Sequence, residues 1–367
     1  MQVIERYPKQ AGIVYCTRRK DTERVARELS SRGVRAMPYH AGFEAAERSR
    51  VQEDFLSERI EVVVATVAFG MGIDRPDVRF VIHAGLPKGV EQYSQETGRA
   101  GRDGLPADCV MLYSGADYHG WRNLLEANAR EAAADGADVT EFLEHSVQRL
   151  GELWAFACGA TCRHRFLVEY FGQAWEAESC GACDVCLGEL ATVPDATVAA
   201  QKILSCVARV GQRYGAAHVT DVLRGAKTAR MRETGHDQLS TYGLLSSASV
   251  REVRAWIDQL VAKELLAVSP GDYPTLRLTA DSVGVLNGEE EVELFAPAQT
   301  APSRKRASAL ETAREEGGPE PDAALFEALR KLRRDLARER GVPPYILFND
   351  RTLVAMAAHQ PRSEAEF

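Results

Sequence analysis

Short apolar runs that alternate with amphipathic segments constrain the first 115 residues more than any other feature of the chain. Four runs have the length of buried strands: GIVYC from residue 12, VRAMPYH from 34, EVVVAT from 61 and FVIHAG from 80. The segments DTERVARELSSRG and AAERSRVQEDFLS between them carry apolar residues at helical spacing, and Gly33 ends the first one. Buried strands connected through helices predict a parallel sheet with helices on both faces, an α/β domain over residues 1–115.

Three loops near the ends of these strands carry the polar residues of the domain. The first holds Thr17, Arg18 and Arg19, the second Thr66, Gly70, Gly72 and Asp74, and the third leads to Gln95, Arg99 and Arg102. Each loop alone is explained by solvated charges or a turn. Because parallel sheets bind ligands at the carboxyl ends of their strands, the three loops together indicate a binding edge. Guanidinium groups among glycines favour a phosphate ligand, yet the chain has no Gly-x-x-x-x-Gly-Lys-Ser/Thr loop.

Four cysteines fall at metal-ligand spacing in one segment. Cys180, Cys183 and Cys186 form two Cys-x-x-Cys steps, Gly181 permits a tight turn, and Cys162 precedes them. Four thiolates suit a closed structural zinc site, whereas the alternative is a set of scattered thiols. Spacing alone leaves Cys158 open as a rival fourth ligand.

Charge composition limits how the chain can bind nucleic acid. Its formal charge is −8, so DNA binding requires a local basic patch. One candidate lies in VLRGAKTARMRETGHD, which holds Arg224, Lys227, Arg230 and Arg232 with no acid until Glu233. A solvated face is the alternative, but a basic loop ahead of a candidate recognition helix at 250–266 favours contact with a DNA backbone.

Composition shifts divide the rest of the chain. Residues 116–191 are predicted to be helical and to carry the cysteines, and residues 192–295 to form a second compact unit of three helices and an extended pair. Residues 296–321 are predicted to be a flexible linker, followed by a helical unit at 322–367. No apolar run approaches the length of a membrane helix and the start lacks a secretory signal, so we expect a cytoplasmic protein.

Two stretches resemble the RecQ family of superfamily 2 helicases almost letter for letter. They are ATVAFGMGIDRPDVRFVIH and QETGRAGRDG, which match the fifth and sixth helicase motifs of that family. The resemblance covers residues 12 to about 360. It implies a RecA-like second motor lobe, a helical zinc-binding subdomain, a winged-helix domain and a truncated, all-α HRDC unit.

The resemblance also implies roles for individual residues. Arg102 would be the arginine finger with Arg99 beside it, and Asp74, in the loop with Gly72, would contact the ATP ribose. Thr66 and His40 would lie near the DNA backbone. The match selects Cys162 over Cys158 as the fourth ligand of a structural Zn²⁺ ion.

Further expectations concern the later units and the partners. Tyr273 in the wing would act as a wedge at a DNA fork, although an exposed turn tyrosine is the commoner state. The HRDC pattern stops about halfway, so we expect this unit to lack a proper core and to be poorly ordered. The resemblance implies forked, duplex and single-stranded DNA as ligands, a single-stranded-DNA-binding protein as a partner, a monomeric state and nucleoid association.

The sequence departs from the family pattern in one respect. The first motor lobe, with its phosphate loop and acidic magnesium motif, is absent from these 367 residues. We therefore expect the C-terminal portion of a helicase from a split or mis-started reading frame, with ATP and Mg²⁺ bound only in an intact enzyme. The rival hypotheses are a non-catalytic zinc and winged-helix DNA-binding module, and a winged-helix transcription regulator, which leaves GRAGRDG unexplained.

Overall fold

A computed structural model describes most of the chain. The described residues are 1–66, 69–70, 73–134, 138–269, 273–297, 319–363 and 366. Gly72, most of the predicted linker and the final residue therefore lie outside them. The chain divides into two compact units, one containing Met1–Pro87, Glu91–Ser114 and the C-terminal helices, the other Lys88–Val90 and Gly115–Ala301. No helix in the described ranges is long and apolar enough to cross a membrane.

The first unit is built on a five-stranded sheet in the order β2-β3-β1-β4-β5. Its strands are β1 Ala11–Tyr15, β2 Ala36–Tyr39, β3 Val62–Ala65, β4 Val78–Ala84 and β5 Asp108–Leu112. Every neighbouring pair is parallel. The parallel sheet predicted from the apolar runs is confirmed.

Helices cover both faces of this sheet. They are α1 Gln2–Arg6, α2 Arg19–Ser31, α3 Ala45–Leu56 and α4 Val90–Thr97. Successive side chains of β1 point to opposite faces, so Ile13 packs in one core with Phe55 of α3, and Val14 packs in the other with Leu29 of α2. The alternation explains why the strands are apolar on both faces.

The second unit is mostly helical. Its helices are α5 Gly115–Ala134, α6 Thr140–Cys158, α7 Arg163–Tyr170, α8 Ala196–Arg209, α9 Ala216–Arg224, α10 Ala229–Glu233, α11 Val250–Ala262 and α12 Ser282–Asn287. An antiparallel pair, β6 Leu266–Val268 and β7 Leu276–Leu278, forms the predicted wing. Helix α11 begins at a capping box of Ser249 and Glu252, a pattern readable in the sequence.

The C-terminal helices complete the first unit. They are α13 Ala323–Arg340, α14 Pro344–Leu347 and α15 Asp350–His359. The expectation that this segment lacks a core needs correction, because Phe326, Leu353, Val354 and Ala357 form a small buried cluster. The buried guanidinium of Arg333 also lies 3.0 Å from Glu58, just after α3, and 2.9 Å from Asp350. The pair with Glu58 links the short helical segment to the sheet domain, and the pair with Asp350 joins α13 to α15.

A histidine pair lies under the basic segment of the second unit. His218 Nε2 is 2.7 Å from His236 Nδ1, and the Tyr214 ring stacks on His218 with centroids 4.0 Å apart. Burial, and then the charges of His236 and Arg230, lower the pKa of His218 to about 4. The pair therefore favours neutral imidazole in the folded chain.

We expect the stability of the second unit to fall as the pH drops from 6.5 toward 4. Over that window unfolded His218 binds a proton that the folded residue does not, which costs at most about 1.4 kcal/mol per pH unit. Urea unfolding at several pH values measures the slope. His218→Asn should flatten it, and His145→Asn, at an exposed histidine of the same unit, should not. An unchanged slope in His218→Asn would contradict the assignment.

Candidate nucleotide and nucleic-acid site

Two predicted nucleotide-binding residues lie together, but at the amino edge of the sheet and not at the carboxyl edge that the sequence predicted. Gly101, next to Arg102, donates its amide to the carbonyl of Val78 at the start of β4, and Val78 pairs with Ala11 at the start of β1. Arg102 follows α4, and its Nη1 donates to the carboxylate of Asp74 in the loop between β3 and β4. Its Nε donates to the carbonyl of Gly98 at 3.1 Å. The side chain of Asp74 is 83% exposed and that of Arg102 is 38% exposed. A carboxylate and a guanidinium group are thus presented to solvent at one point of the edge.

Arg99 takes a different orientation from Arg102. It is only 9% exposed, and its Nη1 donates to the carbonyl of Gly70 at 2.6 Å. A β-carbon at residue 70 would lie 2.3 Å from the Arg99 guanidinium carbon, so any other residue there would displace the Arg99 side chain. In this structure the guanidinium of Arg99 faces the loop backbone and not the solvent.

The residues predicted to lie along the DNA backbone differ in exposure. Thr66 is half-buried at the end of β3, where its amide donates to the carbonyl of Tyr39 at 3.2 Å. His40 is buried, with Nε2 3.2 Å from Glu23 and Nδ1 accepting from the amide of Gly42. Both nitrogens of the His40 ring are therefore engaged within the protein. Gly72 lies outside the described residues.

The four predicted zinc ligands converge. The sulfurs of Cys162, Cys180, Cys183 and Cys186 all lie within 4.8 Å of one another, and this group does not include Cys158. Cys162 begins α7, and Gly181 has a φ of +62°, the left-handed conformation that the predicted tight turn requires. The geometry agrees with the choice of Cys162.

The arrangement of the four sulfurs fits a tetrahedral zinc ion. A Zn–S bond of about 2.3 Å places sulfurs about 3.8 Å apart in a tetrahedron, and the Cys162 and Cys183 sulfurs are 3.9 Å apart. The amide of Cys183 donates to the sulfur of Cys180 at 3.3 Å, and the amide of Cys186 to that of Cys183 at 3.4 Å. Such bonds stabilise thiolates. A hydrogen bond from Ser179 lowers the pKa of Cys186 to about 6, whereas burial raises the pKa of Cys183 to about 11, so Cys183 would need a bound cation to ligate as a thiolate near neutral pH.

The basic segment of the second unit contains two kinds of residue. Lys227, Arg230 and Arg232 are exposed, and the guanidinium of Arg230 lies 6.0 Å from the Tyr214 ring centroid. Arg224, at the end of α9, is half-buried, and its Nε donates to the carbonyl of Ala248 at 2.7 Å. The three exposed cations are available to phosphates, whereas Arg224 also holds the chain ahead of α11.

The wing presents an aromatic side chain. Tyr273 lies between β6 and β7 and is 91% exposed. The candidate recognition helix α11 buries Val253, Ile257 and Leu260 in the core of the unit. Its Asp258 also contacts Gly115 at the start of α5, so part of this helix is covered.

The sequence analysis did not identify a set of buried polar residues at the carboxyl ends of β1 and β4. His83 Nε2 is 2.6 Å from Glu96, and the His83 ring stacks on that of Tyr15. Tyr15 donates its hydroxyl to the carbonyl of Phe69 at 3.1 Å. The signal was a histidine at the end of an otherwise apolar strand and a glutamate three residues ahead of Arg99.

Family models match four consecutive parts of the chain. The helicase conserved C-terminal domain matches residues 1–104, the RecQ zinc-binding domain 115–187, the RQC domain 191–303 and the HRDC domain 322–367. The predicted fold class, a RecA-like lobe followed by zinc-binding, winged-helix and HRDC units, is confirmed.

Curated relatives match along nearly the whole chain. An ATP-dependent DNA helicase RecQ from Haemophilus influenzae is 40% identical over 358 residues, or 97% of this chain and 55% of the relative. Its namesake from Bacillus subtilis is 37% identical over 365 residues, or 100% of this chain and 57% of the relative. The chain thus spans about half the length of these relatives.

Among solved structures, the C-terminal domain of the DEAD-box protein Dbp5 matches with a TM-score of 0.28 and 23% identity. The match covers 31% of this chain and 67% of that one.

The order of the four domains and the extent of the RecQ matches show that the chain belongs to the RecQ family of DNA helicases, whose C-terminal region it represents.

Proposed function

We propose that the chain supplies the second motor lobe and the DNA-binding domains of an ATP-dependent helicase. The enzyme would unwind DNA with 3′→5′ polarity in repair and recombination. The observation that carries this proposal is the exposed pair of Arg102 and Asp74 beside the start of β4. Asp74 would bind the ribose of ATP and Arg102 would stabilise the charge that develops on its γ-phosphate. The phosphate cradle and Mg²⁺ would have to come from a first lobe.

The alternative function is a DNA-binding module without ATPase activity. It is favoured by the lack of a Gly-x-x-x-x-Gly-Lys-Ser/Thr sequence in these 367 residues. Both functions share the zinc and DNA sites, and they differ in whether Arg102 acts on a nucleotide.

We expect no ATP hydrolysis by the chain itself, with or without DNA. A chimera tests the function by joining this chain to the part of the Bacillus subtilis relative that precedes the matched region. It should hydrolyse ATP when DNA is added and unwind a 3′-tailed duplex but not a 5′-tailed one. Arg102→Ala should lower the turnover of the chimera by roughly 10³-fold, because an arginine finger acts in the transition state. Turnover that is unaffected by Arg102→Ala would favour the non-catalytic module.

Structural zinc bound by the four cysteines is the second part of the proposal. The metal would cross-link the start of α7 to the Cys180–Cys186 segment, which has few buried apolar residues of its own. With four protein ligands the ion would have no open position, so its role would be to stabilise the fold.

We expect one zinc ion per chain, measured by atomic emission. Cys162→Ser and Cys183→Ser should each lower the zinc content and the thermal unfolding temperature, because structural zinc contributes folding free energy. Cys158→Ser is the matched control and should keep the metal, since Cys158 lies outside the sulfur cluster. Loss of zinc in the control together with retention in Cys162→Ser would contradict the ligand set.

DNA contact through the winged helix is the third part of the proposal. Lys227, Arg230 and Arg232 are exposed within six positions of a chain whose formal charge is −8. We propose that they bind the phosphates of duplex or forked DNA, with Tyr273 placed at the fork. Arg224 would assist mainly by holding the carbonyl of Ala248.

Replacing Lys227 and Arg232 with alanine should weaken binding to forked DNA and flatten its salt dependence. Each lost phosphate contact removes about 0.9 from the slope of log affinity against log salt, so the pair should remove about 1.8. Fluorescence anisotropy at several salt concentrations gives the slope. Lys202→Ala with Arg209→Ala removes the same charge from α8 and should leave the slope unchanged. Equal slopes in both double variants would move the DNA site elsewhere.

A further inference from the structure

Two neighbouring carbonyl groups in the loop between β3 and β4 are held from the sheet and from the segment after α4. The Tyr15 hydroxyl, at the end of β1, donates to the carbonyl of Phe69 at 3.1 Å. Arg99 Nη1 donates to the carbonyl of Gly70 at 2.6 Å, and the amide of Ile73 donates to the same carbonyl at 3.1 Å. A short stretch of backbone is thus fixed by three donors.

The guanidinium of Arg99 occupies the space that Gly70 leaves open. Gly70 has a φ of +129°, which L side chains rarely adopt, and its missing β-carbon leaves the space for the guanidinium. A buried guanidinium group is costly unless it is hydrogen-bonded. The contact therefore holds the loop and the arginine in a single arrangement.

A second set of buried contacts connects Tyr15, at the end of β1, to helix α4. The ring of His83 stacks on Tyr15 with centroids 5.3 Å apart, and His83 Nε2 lies 2.6 Å from the carboxylate of Glu96. Gln92 donates to the other oxygen of Glu96 at 3.0 Å. Tyr15, His83 and Glu96 are all buried. The chain of contacts runs from the loop through two strand ends to the helix that precedes Arg102.

These contacts lie between the residues expected to contact DNA and those expected to contact ATP. Thr66 lies at one end of the held loop and Asp74 at the other, and Arg102 follows Arg99 by three residues. A movement of the segment that carries Arg102 would be transmitted to Gly70 through the hydrogen bond of Arg99. The backbone at Gly70 and the segment that carries Arg102 are therefore connected through the guanidinium of Arg99.

We propose that Arg99 is a positioning residue and not a second phosphate ligand. It fixes the backbone at Gly70, between Thr66 and Asp74, to the segment that carries Arg102, so that the DNA-contacting and nucleotide-contacting groups move together. The link itself rests on the observed contacts. Its use in coupling rests on the proposed function of Thr66, Asp74 and Arg102.

Hydrogen exchange on the full chain tests the link without any nucleotide. The reporters are the amides of Phe69 and Ile73, which donate to the carbonyls of Thr66 and Gly70. Arg99→Ala should speed exchange at Ile73 by about tenfold or more, the effect of losing one charge-assisted hydrogen bond. Arg99→Lys should restore part of the protection, because an ammonium group is also a donor.

Two further variants separate a local effect from a loss of fold. Tyr15→Phe removes only a hydroxyl and should speed exchange at Phe69 while strand β1 stays protected. Arg27→Ala, at an exposed arginine of α2, is the matched control and should leave both reporters unchanged. Unchanged exchange at Ile73 in Arg99→Ala would overturn the proposal and leave Arg99 for a phosphate. Faster exchange throughout the sheet in both Arg99→Ala and Tyr15→Phe would also overturn it, because the residues would then only support the fold.

Binding of a short single-stranded oligonucleotide distinguishes failure of the link from failure of the function. If Arg99→Ala speeds exchange and weakens binding severalfold while Arg27→Ala does neither, both the link and the DNA contact at Thr66 are supported. Faster exchange with unchanged affinity keeps Arg99 as a positioning residue but contradicts the DNA contact proposed for Thr66.

Discussion

The guanidinium group of Arg99 lies in the space that a β-carbon at residue 70 would fill, and it holds the carbonyl of Gly70 between β3 and β4. Because the sheet is parallel, the ends of β1, β3 and β4 meet at one edge, where the loop can be held from several sides. The two arginines of GRAGRDG therefore differ in environment. Arg99 is buried against backbone, which leaves Arg102 as the exposed cation beside Asp74.

Buried ion pairs extend this anchoring beyond the loop. Arg75 donates to both oxygens of Asp77, at 2.7 and 2.9 Å, and Arg79 donates to Asp103. Burial alone would raise the pKa of Asp77, but Arg75 lowers it well below its ordinary range, so the pair stays charged. Since removing one partner of a buried pair leaves an uncompensated charge, these contacts fix the backbone next to Asp74. The link from Arg333 to Glu58 extends the same kind of contact to the C-terminal helices.

Local patterns were sufficient to predict the sheet, an extended pair after residue 266 and three of the clustered cysteines, whereas only the family resemblance selected Cys162 over Cys158. The apolar runs containing Ile13 and Val64 have the length of buried strands, and the spacing of Cys180, Cys183 and Cys186 needs only one turn. The burial and the partners of the charged residues could not be predicted from the local sequence. Arg224 resembles its exposed neighbours in sequence, yet it is held by a carbonyl 24 residues away. Arg333 is buried and pairs with Glu58, 275 residues away, and no local pattern in the sequence indicates such a partner.

DNA contact through the winged helix is the central claim of this account, because both candidate functions require it. Tyr273 lies between the two strands of the wing and is exposed, and Val283 on α12 is an exposed residue of the same unit. Photo-crosslinking with benzoylphenylalanine at either position, on a fork labelled in each strand, tests the claim directly. We expect a crosslink from position 273 to nucleotides at the junction, lost at high salt, and none from position 283. A crosslink from 283 with none from 273 would contradict it.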